Sequence, residues 1–372
     1  MTRTEEADLR SFIDRREYEP VFRNFLGGTV GALPEKKQIQ KVGTEKKRVV
    51  YLYPRAENYV FKLLTFLLTR EYDGVFSDTL YSFRVRLGVR RAMDRILHLP
   101  GLNGKYTYKA DIHDYFNSIP VPRMLAVLRP VLEKEPETFA LFEAILTDRR
   151  VLKNGAVTEE NKGVMAGTPF AVFLANLYLK DMDREFAESG IAYARYSDDI
   201  LVLADSEENR EAAAARILAI LSENGLTVNE EKEVRTVPGE RWTFLGISYD
   251  SGTVDVSPVA RDKLKAKMRR KARAIKRWQV RRGLSPDKAV KAFIRKMNSK
   301  FFDADSAHEL TWTRWYFPVI NTDATLYELD HYMQEWIRYL ATDRHGKKQY
   351  AFRYEQMKAL GYVSLVHEWH KG

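Results

Sequence analysis

Two apolar periods alternate along this chain. Leu9, Phe12 and Ile13 fall at helical spacing, which predicts one opening helix over residues 5 to 26. A Gly/Pro-marked loop follows, from Gly27-Gly28 to Pro34. The β-rich run Val49-Val50-Tyr51-Leu52-Tyr53 predicts a strand, stopped by Pro54. Helical spacing returns with Val60, Leu63, Leu64, Leu67 and Leu68. A turn at residues 101 to 104 then leads into the alternating segment Tyr106 to Ile112, a half-buried strand. Residues 170 to 187 predict a buried helix. Residues 192 to 204 predict two short strands around the polar turn Ser197-Asp198-Asp199. A helix is expected from Asp205, with Glu208 at capping-box spacing, to about Gly225. Another strand is expected over residues 242 to 248, and helices from about 258 onward. Strands among helices, then a helical tail, give an α+β class.

The chain has 372 residues, enough at about 150 per domain for two or three structural units. A hydrophobic content of 45% suffices for a core, and no apolar run reaches the roughly 18 residues of a membrane span. The acidic start Met1-Thr2-Arg3-Thr4-Glu5-Glu6 does not resemble a secretory signal, and a cytoplasmic location is expected. Without cysteine there is no disulfide, thiol nucleophile or Cys-bearing zinc knuckle. The net charge is +10, and residues 261 to 283 hold twelve Lys or Arg against Asp262 alone, so the remainder is close to neutral. Ala266, Met268, Ala272, Ile275 and Trp278 interleave with those charges at helical spacing. This predicts a helix with one packed face and one face for phosphates, through Arg269, Arg270, Lys271, Arg273, Lys276 and Arg277.

Two acidic clusters carry the candidate chemistry. Asp111-Ile112-His113-Asp114-Tyr115-Phe116 ends the alternating strand, and Tyr196-Ser197-Asp198-Asp199 forms the hairpin tip. Strand parity puts Asp111 on the face opposite Tyr108 and Ile112. A hairpin tip that projects Asp198 toward Asp111 gathers oxygen ligands for hard divalent cations, a pair of which suits in-line phosphoryl displacement. Ser-Asp-Asp is also ordinary turn composition, so this cluster alone does not decide the function.

The order of motifs does. After the Asp111 cluster come Gly163-Val164-Met165-Ala166-Gly167-Thr168-Pro169, Leu174-Ala175-Asn176-Leu177-Tyr178-Leu179, and then Tyr196-Ser197-Asp198-Asp199. This series resembles the palm of reverse transcriptases. Asn229-Glu230-Glu231-Lys232 resembles the family's lysine-bearing motif, and Phe244-Leu245-Gly246 its primer grip. Upstream, Lys47-Arg48 resembles the phosphate-holding fingers residues, and Tyr81-Ser82-Phe83-Arg84 an element of bacterial members.

The resemblance implies a right-hand polymerase with an N-terminal extension and fingers over residues 1–104. It implies a palm over 105–254, with part of the fingers inserted at 120–165, and a basic helical thumb over 255–372. It implies that Asp111, Asp198, Asp199 and the Ile112 carbonyl hold two Mg²⁺ ions, for which Mn²⁺ substitutes. Nucleotide binding falls to Lys47, Arg48, Asp114, Tyr115, Phe116, Gly167 and Lys232. Phe116 is the steric gate against a ribose 2′-OH, and Lys232 assists the departing pyrophosphate or is simply a solvated lysine. Asn176 hydrogen-bonds within the palm. Arg84 and the basic helix contact nucleic acid. The implied partners are a structured or noncoding RNA template, the RNA–DNA duplex and dNTPs, with no membrane.

Some residues depart from the group II intron and retron pattern. Ala166 stands where Gln is usual, and Val-Thr-Gly does not follow Lys232. The chain is similar to compact defence-associated bacterial enzymes that copy a dedicated noncoding RNA. An RNA-binding, maturase-like protein is the alternative, and untemplated or protein-primed synthesis is not separable by sequence. Beyond the motifs, Leu326, Leu329, Tyr332, Met333, Trp336 and Leu340 form a stripe expected in a core. Arg344-His345-Gly346-Lys347-Lys348 is expected as a solvated basic turn, and His367 and His370 as surface histidines rather than a zinc site.

Overall fold

The computed structural model describes residues 3–40, 47–84, 87–302, 311–343 and 350–371. The basic turn at 344–348 lies outside them. The chain divides into two compact units between Glu240 and Arg241. In chain order the strands are β1 (Glu35–Gln40), β2 (Lys47–Leu52), β3 (Tyr106–Asp111), β4 (Arg150–Lys153), β5 (Ala156–Glu159), β6 (Ala192–Tyr196), β7 (Asp199–Ala204) and β8 (Val234–Thr236). The second unit adds β9 (Trp242–Phe244), β10 (Ile247–Asp250) and β11 (Thr253–Val256).

The first unit holds two sheets. One has the order β2-β1-β4-β5, and the other β6-β7-β3-β8. All pairings in the second sheet are antiparallel, and its central strands β3 and β7 run in register from Tyr106↔Ala204 to Asp111↔Asp199. Tyr108, Ala110 and Ile112 all lie in the core on the face opposite Asp111, as the alternation requires. Helices Ala171–Tyr178 and Glu207–Glu223 contribute Phe173, Leu174, Ile217 and Leu221 to the same core.

Two expected helices are each a pair. The opening segment forms Arg3–Asp14 and Glu19–Leu26, because Arg16 takes a φ of 53° that no α-helix accommodates. Residues 170 to 187 form Ala171–Tyr178 and Lys180–Glu188, separated at Leu179. The cap of the next helix is Ser206 rather than Asp205, its hydroxyl accepting the Asn209 N–H at 3.1 Å.

The second unit comprises the sheet β11-β10-β9 and helices that include Pro258–Arg282, Pro286–Phe301 and Ala324–Thr342. Those three helices pack against one another. Leu264, Met268, Ala272, Ile275 and Gln279 form the buried stripe of Pro258–Arg282, while Trp278, expected in that stripe, is 39% exposed. Ala324–Thr342 buries Leu326, Leu329, Met333 and Leu340 as expected, but Tyr332 and Trp336 are only partly covered. Among the described residues, no helix is long and apolar enough to cross a membrane.

Candidate active site

The hairpin between β6 and β7 closes over two residues. Tyr196 pairs with Asp199, leaving Ser197 and Asp198 in the turn. Ser197 adopts a φ of 61°, a left-handed conformation that costs a non-glycine residue about 1 kcal/mol. It is held from both ends: its N–H donates to Ser82 Oγ at 2.9 Å, and its carbonyl accepts from Arg195 Nη1 at 3.2 Å. Ser82 Oγ in turn donates to Asn176 Oδ1 at 2.9 Å, and Asn176 Nδ2 donates to the Ser82 carbonyl at 2.8 Å. Asn176 therefore has the expected hydrogen-bonding place within this unit.

The turn sits beside the end of β3. Asp111 lies directly opposite Asp199, and the Ile112 N–H donates to the Asp198 carbonyl at 2.9 Å. On the other edge, the Asn229 N–H donates to the Asp111 carbonyl at 2.7 Å, which brings the short 3₁₀ turn Glu230–Lys232 to the same place. Lys232 Nζ reaches Asp111 Oδ1 at 2.6 Å. Burial, followed by the charges of Asp199 and Asp111, pushes the Asp198 carboxyl up to about 6.

This donor set suits a hard divalent cation. Carboxylate oxygens crowd one place, and their mutual repulsion has Lys232 as a nearby compensating positive charge. Among the described residues, no three acidic or histidine side chains are already closed into a metal-binding group.

Below Asp111 the backbone turns sharply. Asp114 has a φ of 40° and precedes the short helix Tyr115–Ser118. Phe116 is half-buried, with its ring 5.7 Å from that of Tyr115. Lys47 and Arg48 are exposed at the start of β2, opposite Gln40 and Ile39. Gly167 has a φ of 98°, and a Cβ there would lie 2.9 Å from Val50 Cβ. The immediate need for glycine is thus close packing against β2. In the second unit, Leu245 and Gly246 form a two-residue turn between Phe244 and Ile247, both at positive φ, with Phe244 fully buried.

Several expected contacts are redirected. Arg84 is buried, donating from Nε and Nη2 to Asp73 at 2.8 and 3.0 Å and from Nη1 to the Ser77 carbonyl at 2.7 Å, so it braces a loop rather than reaching for nucleic acid. Tyr115 is also turned inward, its hydroxyl donating to the Ala175 carbonyl at 2.6 Å. Lys276 is tied to Asp343 at 3.0 Å. Arg269, Arg270, Arg273 and Arg277 are exposed, and Lys271 is partly so. His370, expected as a surface histidine, is exposed and lies 2.9 Å from Asp323 Oδ2.

The residues that sequence reading missed are those behind the hairpin. Arg195 and Asp183 pair with no exposed side-chain surface, and Tyr193 Oη donates to Asp183 Oδ1 at 2.8 Å. The alternation of β6 gives Arg195 the inward parity of Tyr193. A basic residue at an inward position was the available signal, but its partner lies on another element.

The reverse transcriptase (RNA-dependent DNA polymerase) family pattern matches residues 39–249, more than half of the chain. The chain belongs to that family, and its fold is of the α+β right-hand polymerase class. Among solved structures it is similar to apo telomerase from Candida tropicalis truncated from the C-terminal domain, with 12% identity and a TM-score of 0.48 over 60% of this chain and 55% of that one. It is also similar to C. tropicalis telomerase in complex with a TWJ fragment of telomeric RNA (13%, TM-score 0.49, 88% and 63%) and to Candida albicans telomerase with such a fragment (12%, 0.47, 90% and 66%). The chain thus spans little more than half to about two thirds of those proteins. No curated protein matches it in sequence.

Proposed function

We propose that this chain is an RNA-directed DNA polymerase that extends a primer with dNTPs on an RNA template. The observation that carries this reading is the register that sets Asp111 opposite Asp199, with Asp198 in the adjoining turn. Asp111, Asp198, Asp199 and the Ile112 carbonyl would hold the divalent cations, Mg²⁺ with Mn²⁺ as substitute. Cations bound there supply the positive charge that stabilises the attacking and leaving oxygens of phosphoryl transfer. The protein's own residues position the reactants. Lys47 and Arg48 bind the triphosphate, the Phe116 ring fills the space beside the sugar, and Lys232 turns from Asp111 toward the leaving pyrophosphate. The exposed arginines of Pro258–Arg282 bind phosphates of the template duplex.

The proposed template is a dedicated noncoding RNA, copied in bacterial antiviral defence, a reading that rests on the compact motif set and its departures from intron and retron enzymes. Primer extension on an RNA template, with wild type and Asp198→Asn side by side, tests the polymerase reading. Wild type is expected to extend, and the variant to lose about a hundredfold or more in rate while still binding RNA. RNA binding without extension by wild type would leave the maturase-like alternative. Sequencing the nucleic acid that co-purifies, before and after RNase, identifies template and product.

A further inference from the structure

Asn117 follows the expected gate residue Phe116, and its side chain joins three separate parts of the first unit. Oδ1 accepts the Ala166 N–H at 3.0 Å. Nδ2 donates to Asp114 at 3.1 Å (Oδ1) and 3.4 Å (Oδ2), and lies 3.5 Å from the Val49 carbonyl. The partners themselves fix the amide's orientation, since a peptide N–H demands the oxygen and a carboxylate demands the nitrogen. Asn117 thus links the turn after β3, the loop before Ala171–Tyr178, and β2.

The backbone closes around the same point. The Val164 N–H donates to the Phe116 carbonyl at 2.8 Å. Gly163, at a φ of 52°, presses so closely that a Cβ would stand 2.5 Å from the Phe116 oxygen and 2.6 Å from the Asn117 oxygen. The Tyr51 N–H donates to the Ala166 carbonyl at 2.8 Å. The Ala166 residue is therefore gripped at both ends, its N–H by Asn117 and its C=O by Tyr51. Its methyl side chain cannot hydrogen-bond to a nucleotide, so whatever this position contributes comes from where its main chain is held.

Building on the polymerase reading, we infer that Asn117 is a positioning residue for sugar selection. It fixes the distance between the turn that carries Phe116 and the Ala166-Gly167 segment. A gate discriminates by steric exclusion, and exclusion needs a wall that does not yield. A ring on a turn free to shift by a fraction of an ångström would admit the extra hydroxyl. Asn117 touches no reacting atom, and its effect passes through Phe116 and Ala166.

If Asn117 merely stabilises the short helix Tyr115–Ser118, its loss lowers stability and leaves selectivity alone. Asn117→Leu keeps the approximate volume without polar atoms. Asn117→Ala replaces the Leu variant if that one does not fold. Two quantities are read: hydrogen exchange at the Ala166 amide in the free protein, and the ratio of kcat/KM for dNTP over rNTP. In Asn117→Leu the amide should exchange about tenfold faster, in line with one lost hydrogen bond. The ratio should fall by about fivefold to tenfold, with KM for dNTP rising more than kcat falls. A folded Leu or Ala variant with unchanged amide exchange, or with faster exchange and an unchanged sugar ratio, overturns the inference. A wild type that incorporates no nucleotide defeats the polymerase reading instead, and the exchange arm still decides whether Asn117 holds Ala166.

Discussion

Arg195 and Asp183 form a two-pronged ion pair with no solvent-exposed side-chain surface, Nε to Oδ1 at 2.8 Å and Nη2 to Oδ2 at 2.5 Å. Arg195 also donates to the carbonyls of Ser197 and Asn176, at 3.2 and 3.1 Å. A buried pair of this kind has to offset the desolvation of both charges, and it adds little net stability over an apolar pair. Its consequence here is geometric, because the same guanidinium holds the hairpin turn that presents Asp198.

Asp183→Asn should therefore destabilise the protein by about 3 to 5 kcal/mol, since it strands a buried guanidinium. Urea unfolding measures the loss. The double variant Asp183→Asn with Arg195→Met should be less destabilised than the two single losses added together. Additive losses would mean that the two side chains do not depend on one another.

Phe116→Val should raise rNTP use relative to dNTP by about tenfold or more, with a smaller fall in dNTP rate. The half-buried position leaves part of the ring able to face a sugar. Competition between dNTP and rNTP on one primer–template reads the ratio. No change would return Phe116 to the role of a packing residue.

Exchanging Arg269, Arg270, Lys271 and Arg273 for Gln should flatten the salt dependence of RNA binding. Three of these side chains are exposed arginines and the lysine is partly covered. At roughly 0.7 to 0.9 per phosphate contact, the loss of about two contacts should lower the log–log slope by about 1.4 to 1.8. Titrations at several salt concentrations measure it, and parallel lines for wild type and variant would place the nucleic acid elsewhere.

Lys162 is 2% exposed, and its Nζ lies 3.4 Å from the Arg150 carbonyl. Burial pushes its ammonium from 10.5 down to about 8. The folded state therefore prefers the neutral amine, and below about pH 8 it must hold an ammonium that the unfolded chain solvates better. Between pH 8 and 10.5 the unfolded chain binds more protons, so this group's contribution to stability rises with pH. Lys162→Met should be more stable than wild type at pH 7 by about 3 kcal/mol, with the gap closing toward pH 10.5. Melting curves across that range decide the matter, and a constant gap would rule out titration of Lys162 as its source.

The alternation of Tyr106 to Ile112 and the polar turn at 197–198 placed the acidic clusters in sequence, and the order of motifs pointed to the family. Met268, Ala272 and Ile275 likewise marked the packed side of the basic helix, because periodicity is a property of one segment alone, while Leu264 joined that side and Trp278 left it only in the folded structure. Helix breaks at Arg16 and Leu179 were not legible, since neither carries the Gly or Pro that normally signals one. From sequence, Arg84, Tyr115 and Lys276 were expected to face a ligand. Tertiary structure gave them Asp73, the Ala175 carbonyl and Asp343 instead. It also selected Arg195, Asp183 and Asn117, whose composition alone suggests an exposed surface. The division has a physical cause: the pattern of burial along one element follows from its own period, whereas the fate of a polar side chain depends on whether a distant partner meets it where water has been removed.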